Sequence, residues 1–153
     1  MRQKTSKWFE VKVAYDKTME SGEQKKVTET FVVEAMSFTE AEAKVAKDIV
    51  AGYITSDYEI KAITIPQYKE VWFTDDNSDY KWYKAKLQFV TLDENTQKEK
   101  KINVFYLVQA GSFDAAKKHI ESVMGGTMID YVIASIKETN ILDLFETSSI
   151  FVS

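Results

Sequence analysis

Cysteine is absent from the 153 residues. Its absence excludes disulfides, thiolate metal sites and a cysteine nucleophile, and it fits a reducing interior. Histidine occurs once, at His119. One histidine without cysteine cannot build a transition-metal site of the usual kind, and a solvent-facing helix position accounts for it. The single proline, Pro66, interrupts one strand pattern and separates it from the next. No apolar run approaches the length needed to span a bilayer. The opening Met-Arg-Gln-Lys-Thr-Ser has no apolar stretch of the signal-peptide kind, so a cytoplasmic protein is expected. There is no nucleophile elbow, zinc-ligand spacing or dinucleotide fingerprint. Gly125-Gly126-Thr127 lacks the wider glycine spacing and the Lys-Ser/Thr end of a phosphate-cradling loop. Asp75-Asp76-Asn77-Ser78-Asp79 imitates the start of a calcium loop. However, Tyr80 stands where the sharp turn needs glycine, and Lys86 stands where the bidentate glutamate belongs. These absences point away from an enzyme, and no metal or cofactor is expected.

What is present is ordinary for a globular chain, with 44% hydrophobic and 29% charged residues, enough to bury a core. The formal net charge of −4 means that any nucleic-acid role needs a local basic face. The strongest signal is an internal repeat. Lys7-Trp8-Phe9 with Lys12 returns as Lys81-Trp82-Tyr83 with Lys86. Ala35-Met36-Ser37-Phe38 returns as Ala110-Gly111-Ser112-Phe113. Asp57-Tyr58 with Ile60 and Ile63 returns as Asp130-Tyr131 with Ile133 and Ile136. Matches fall in one order with small register shifts, giving halves at 1–74 and 78–147 joined by the acidic stretch 75–79.

Each half reads as strand, turn, strand, helix, strand. Alternating residues predict strands over 8–15 and 26–36, and over 82–91 and 101–110. Ser37 and Ser112 are placed as helix N-caps, with Glu40 completing a Ser-x-x-Glu box and Asp114 in the second helix's first turn. The helices are expected over 38–50, ended by Gly52, and over 113–124, ended by Gly125-Gly126. Further strands are expected over 58–65 and 130–137. Residues 69–73 form a short edge strand, with 141–145 as its counterpart, and the apolar end of 147–153 packs or frays. The fold class is therefore α+β. Two tandem ββαβ-type repeats form one compact pseudo-twofold domain, with an antiparallel sheet and one helix per repeat.

Strand geometry sends alternate side chains to opposite faces. Phe9, Val11, Val13 and Tyr15 share one face with Phe31, Val33 and Ala35. Tyr83, Ala85, Leu87 and Phe89 do so with Tyr106, Val108 and Ala110. The helices must cover these faces. The opposite face carries Trp8, Glu10 and Lys12 in one copy, and Trp82, Lys84 and Lys86 in the other, beside Val32, Phe105 and Leu107. A tryptophan among lysines on a non-core face suits single-stranded nucleic acid, because rings stack bases while lysines follow phosphates. The candidate residues are Trp8, Lys12, Lys26, Trp82, Lys84, Lys86 and Lys101. The same face equally suits burial between the repeats or against a second copy, and both readings stay open.

At the twin motifs, Lys7-Trp8-Phe9 with Lys81-Trp82-Tyr83, and Ala35 to Ala41 with Ala110 to Ala116, the chain resembles a small-protein family. This is a domain of unknown function from Bacteroides-group gut bacteria and their phages. The resemblance spans nearly the whole chain. It implies no activity, but its phage context implies a DNA-replication accessory such as a single-strand binder.

Overall fold

The computed structural model describes residues 1–54 and 57–147. Among the described residues nine strands form two sheets, accompanied by two helical segments. In chain order these are β1 (Arg2–Lys4), β2 (Trp8–Thr18) and β3 (Gln24–Glu34), then a helical segment, then β4 (Tyr58–Thr64) and β5 (Tyr68–Phe73). After them come β6 (Lys81–Leu92), β7 (Glu99–Ala110), α3 (Phe113–Gly125), β8 (Tyr131–Glu138) and β9 (Ile141–Phe145). The first helical segment has three parts: α1 (Phe38–Lys44), a π-helical stretch (Val45–Ile49) and α2 (Val50–Tyr53). It runs past the expected end, so Gly52 lies inside its last turn.

The chain divides into two compact units. One comprises Ser6–Pro66 with the stretch from Asn140 onward; the other comprises Met1–Thr5 with Gln67–Thr139. The first unit holds a four-stranded sheet in the order β4-β2-β3-β9. The second holds a five-stranded sheet in the order β1-β5-β7-β6-β8. Unit boundaries therefore do not follow the repeat boundaries at 74 and 78. β5 lies in the sheet of the second half, parallel to β7, and β9 lies in the sheet of the first half, parallel to β3. Each sheet is mixed, where the sequence suggested antiparallel pairing throughout. β5 is no edge strand either, because β1 pairs with its free side from Arg2 to Lys4. A polar tripeptide carries no alternation, and β1 exists only because β5 offers it unpaired backbone groups. Of the tail 147–153, only Thr147 lies within the described residues.

Helix entry is as the serines require. The Ser37 hydroxyl accepts from the Glu40 N–H at 3.1 Å, and the Ser112 hydroxyl accepts from the Ala115 N–H at 3.1 Å. Glu40 reaches back one residue further than a regular box, accepting from the Met36 N–H at 3.0 Å. Removing such a cap typically costs about 1 kcal/mol.

Each core is the face expected from alternation. In the first unit Phe9, Val11, Val13, Phe31 and Val33 meet Ala41, Val45 and Ile49 from the helical segment, all fully buried. In the second, Ala85, Leu87 and Val108 meet Ile120 and Met124 of α3 around Trp72. Trp72 stacks on Tyr106 with ring centroids 4.5 Å apart, and its indole N–H donates to Glu70 at 3.1 Å. Removing apolar area from water at about 25 cal/mol per Å² makes these two faces the main stabilising element of each unit.

Burial also sets an alkaline limit. It pushes the phenols of Tyr15 and Tyr106 up to about 12, with Glu29 and Glu70 respectively adding to it, while partial desolvation and the hydrogen bond to Asp143 raise that of the more exposed Tyr53 to about 12. An unfolded tyrosine ionises near pH 10. The native state therefore keeps these phenols neutral, and their contribution is complete below about pH 10 and lost as pH rises through 12. Tyrosinate absorbance followed against pH should show these three rings ionising late, together with the loss of native circular dichroism. Complete ionisation of all eight tyrosines by pH 11 with the fold intact would contradict this burial.

Candidate functional site

Neither tryptophan of the repeated motif is open to solvent: Trp8 is 3% exposed and Trp82 5%. An indole so covered offers no free ring face to a base. Trp82 packs edge-on against Phe73 at 5.7 Å, and the Arg2 guanidinium lies 4.1 Å from the other ring's centroid. Val32, Val71 and Leu107 on the non-core faces are also fully buried.

The other candidate residues are divided between the two units. Lys12 and Lys26 project from the first sheet and are exposed. Lys12 stands opposite Thr30 and Ala62, while Lys26 stands opposite Asp16 near the far end of its hairpin. They form no cluster. In the second unit, Lys101 is exposed on β7 and shares a face with Phe105, four residues and about 13 Å further along the strand.

Lys84 and Lys86 differ, because β8 brings them a third lysine. The register places Lys84 directly opposite Lys137, and Lys86 opposite Ser135. On its other side Lys86 faces Phe105 of β7. These five side chains line one concavity of about 320 Å³. The Lys84 ammonium sits 5.2 Å from the Phe105 ring centroid, within cation–π range. Like charges directly opposite on neighbouring strands disfavour pairing. No carboxylate offsets them: among the described residues none pairs with Lys84, Lys86 or Lys137. The adjacent carboxylate, Glu138, is on the opposite face of the strand and is held by Lys81 at 2.9 Å. The Lys81 hydrogen bond, with its charge, holds the Glu138 carboxyl below its ordinary range. Another concavity, of about 380 Å³ beside the first helical segment, mixes Lys44 and Lys47 with Glu40 and Asp48, so its charges offset one another.

Lys137 and Ser135 escaped the sequence reading, for a physical reason. Strict alternation along β8 would put residue 137 on the same side as Tyr131 and Ile133. A bulge at Ala134, where Lys86 faces Ser135 and Leu87 faces Ile133, reverses the parity and turns Lys137 toward Lys84.

His119 is not the solvent-facing residue expected. Its side chain is 23% exposed and its Nε2 lies 3.6 Å from Oδ2 of the buried Asp79. Nδ1 lies 3.1 Å from the Gln109 carbonyl oxygen, which can only accept, so the ring N–H donates there. Through these two contacts His119 ties α3 to the 75–79 stretch. Among the described residues no group of three or more His, Asp or Glu side chains is gathered as for a metal ion. No helix among them is long and apolar enough to cross a membrane.

No curated protein and no solved structure matches this chain. A family model described as Domain of unknown function (DUF4494) matches residues 7–147, and the chain belongs to that family.

Proposed function

We propose that this protein is a non-enzymatic binding module that holds a single-stranded nucleic acid on the outer face of its second sheet. The observation that carries the reading is the cross-strand pair Lys84–Lys137, with Lys86 beside it and no carboxylate among them. A folded chain of net charge −4 that keeps three ammonium groups together unpaired holds a local potential suited to a polyanion. Ring stacking falls to the half-buried Phe105 and not to the covered indoles. Lys101, further along the same face, would extend the track of phosphate contacts. The phage context of the resembling Bacteroides-group family supports an accessory role in DNA replication within the cytoplasm.

We also infer that the two units descend from one duplicated ββαβ element. The matching strand orders support it, as do the bulges at Lys12/Val13 and Lys86/Leu87, which fall at corresponding positions of the repeat. Only the second copy carries the lysine pair, since Glu10 stands where Lys84 does. On this reading the duplication freed one sheet face to become a binding surface.

Anisotropy of a labelled oligothymidylate at rising salt tests the proposal. Three phosphate contacts predict a log K against log salt slope of about −2 for a single strand. The variant K84Q/K86Q/K137Q should flatten that slope. Lys137→Gln alone should weaken binding while slightly raising the thermal midpoint, because it relieves the like-charge pair. Equal binding by the native and triple-variant proteins would overturn the proposal.

The other open reading, self-association through the tryptophan-bearing face, is disfavoured, because Trp8, Val32, Trp82 and Leu107 are already covered within the single chain. Sedimentation equilibrium decides it, a monomer at all concentrations being the result against it.

A further inference from the structure

The lysine concavity is bounded along the strands. At one end Gln88 donates to Asn103 at 3.2 Å across β6 and β7, closing the rung beyond Lys86 and Phe105. At the other end the next outer-face residues are Leu107, beside Lys84, and then Trp82, both buried. Between these stops lie only two rungs of the sheet. The site is therefore a short cup, with its three ammonium groups gathered within two rungs of the sheet.

The charges in the cup exceed what an internal phosphodiester supplies. A diester carries one negative charge, whereas a terminal phosphomonoester carries about −1.5 to −2 at neutral pH and three strong acceptor oxygens. Three ammonium groups and the Ser135 hydroxyl match the latter in charge and in donor number. Recognition of a planar carboxylate favours the arginine fork, and no arginine lines this cup. Phe105, on the floor, offers its ring to the sugar or base adjoining such a phosphate.

Resting on the nucleic-acid reading above, we propose that the Lys84–Lys86–Lys137 cup is a subsite for a terminal phosphate of a single strand. Selectivity for ends follows. A strand bearing a terminal phosphate binds by its end, and one ending in hydroxyls binds only through the weaker diester track.

The test compares four probes on the native protein: oligothymidylates with a 5′-phosphate, a 3′-phosphate or hydroxyl ends, and inorganic phosphate. One phosphorylated strand should bind at least about tenfold more tightly than the hydroxyl-ended one, and inorganic phosphate at millimolar concentration should remove that advantage. In K84Q/K137Q, which keeps the sheet's backbone pairing, the advantage should disappear. Equal affinity for all three strands, with salt dependence intact, would overturn the end-specific site while leaving the nucleic-acid reading in place. Binding of no strand would overturn both. Binding of inorganic phosphate as tight as that of either phosphorylated strand would overturn the strand-end assignment in favour of a free phosphate ligand.

Discussion

Gly111→Ala is expected to lower the stability of the second unit by about 2–4 kcal/mol, a large loss for one methyl group. A Cβ at this position would stand 2.3 Å from the Ser78 carbonyl oxygen and 3.2 Å from its carbonyl carbon. The obstacle is backbone, and it cannot simply rotate away. The Gly111 N–H donates to the Asp79 carboxylate at 2.6 Å, and the Gln109 side-chain amide donates to the Asp79 carbonyl at 2.9 Å. The same Gln109 side chain accepts from the Thr74 N–H at 3.0 Å. Moving residues 78–79 aside would strand a buried carboxylate and the groups that satisfy it, each worth about 1–3 kcal/mol when left unpaired. At the corresponding place in the other copy Met36 is 75% exposed, so Met36→Ala should change stability by less than about 0.5 kcal/mol. Urea unfolding of the two variants reads both effects. A near-neutral Gly111→Ala would mean that the linker does not pass so close.

Truncation after Thr139 should unfold the first unit, although every residue removed lies more than a hundred positions from β2. The cut deletes β9, the strand parallel to β3 over Thr30 to Val33. It also takes away Phe145, which lies 6.2 Å from Phe31 and 6.4 Å from Tyr53 between ring centroids, and the 2.7 Å bond from the Tyr53 hydroxyl to Asp143. The Thr147 N–H donates to the Glu34 carboxylate at 2.8 Å, and that bond goes too. Phe31, Val32 and Val33 are fully buried, and an unpaired β3 would place their backbone groups at an open edge. The combined loss exceeds the 5–15 kcal/mol by which a typical domain is stable at the lower end of that range. Hydrogen exchange on the truncated chain should show protection lost across β2 and β3. Native protection there would contradict the role given to β9.

Local structure was legible because alternation and capping are local. The strands beginning at Trp8 and Trp82, both serine caps and the two apolar faces lie where side-chain pattern puts them. Sheet membership was not. Tyr68–Phe73 has the same local sequence whichever sheet it joins, and its partner β7 is separated from it in the chain by a full hairpin strand. The candidate site split in the same way. Lys84 and Lys86 were found because they alternate with a visible core face. Lys137 required the bulge at Ala134, a deviation written in pairing and not in composition. The indoles misled for a related reason: alternation tells which face a side chain takes, and not what comes to cover that face.

The exchange of β5 and β9 carries a consequence for how the protein is born. Residue 34 leaves the ribosome long before residue 141, and at roughly 5–20 amino acids per second the interval is on the order of ten seconds. Throughout that time the nascent first sheet has its hydrophobic third strand at a bare margin, waiting for the last stretch of translation to seal it. Slowed elongation between those points, or release of an unfinished chain, would leave that margin open to neighbouring polypeptides. Chaperone dependence in the cell should therefore track the speed of synthesis of the second half.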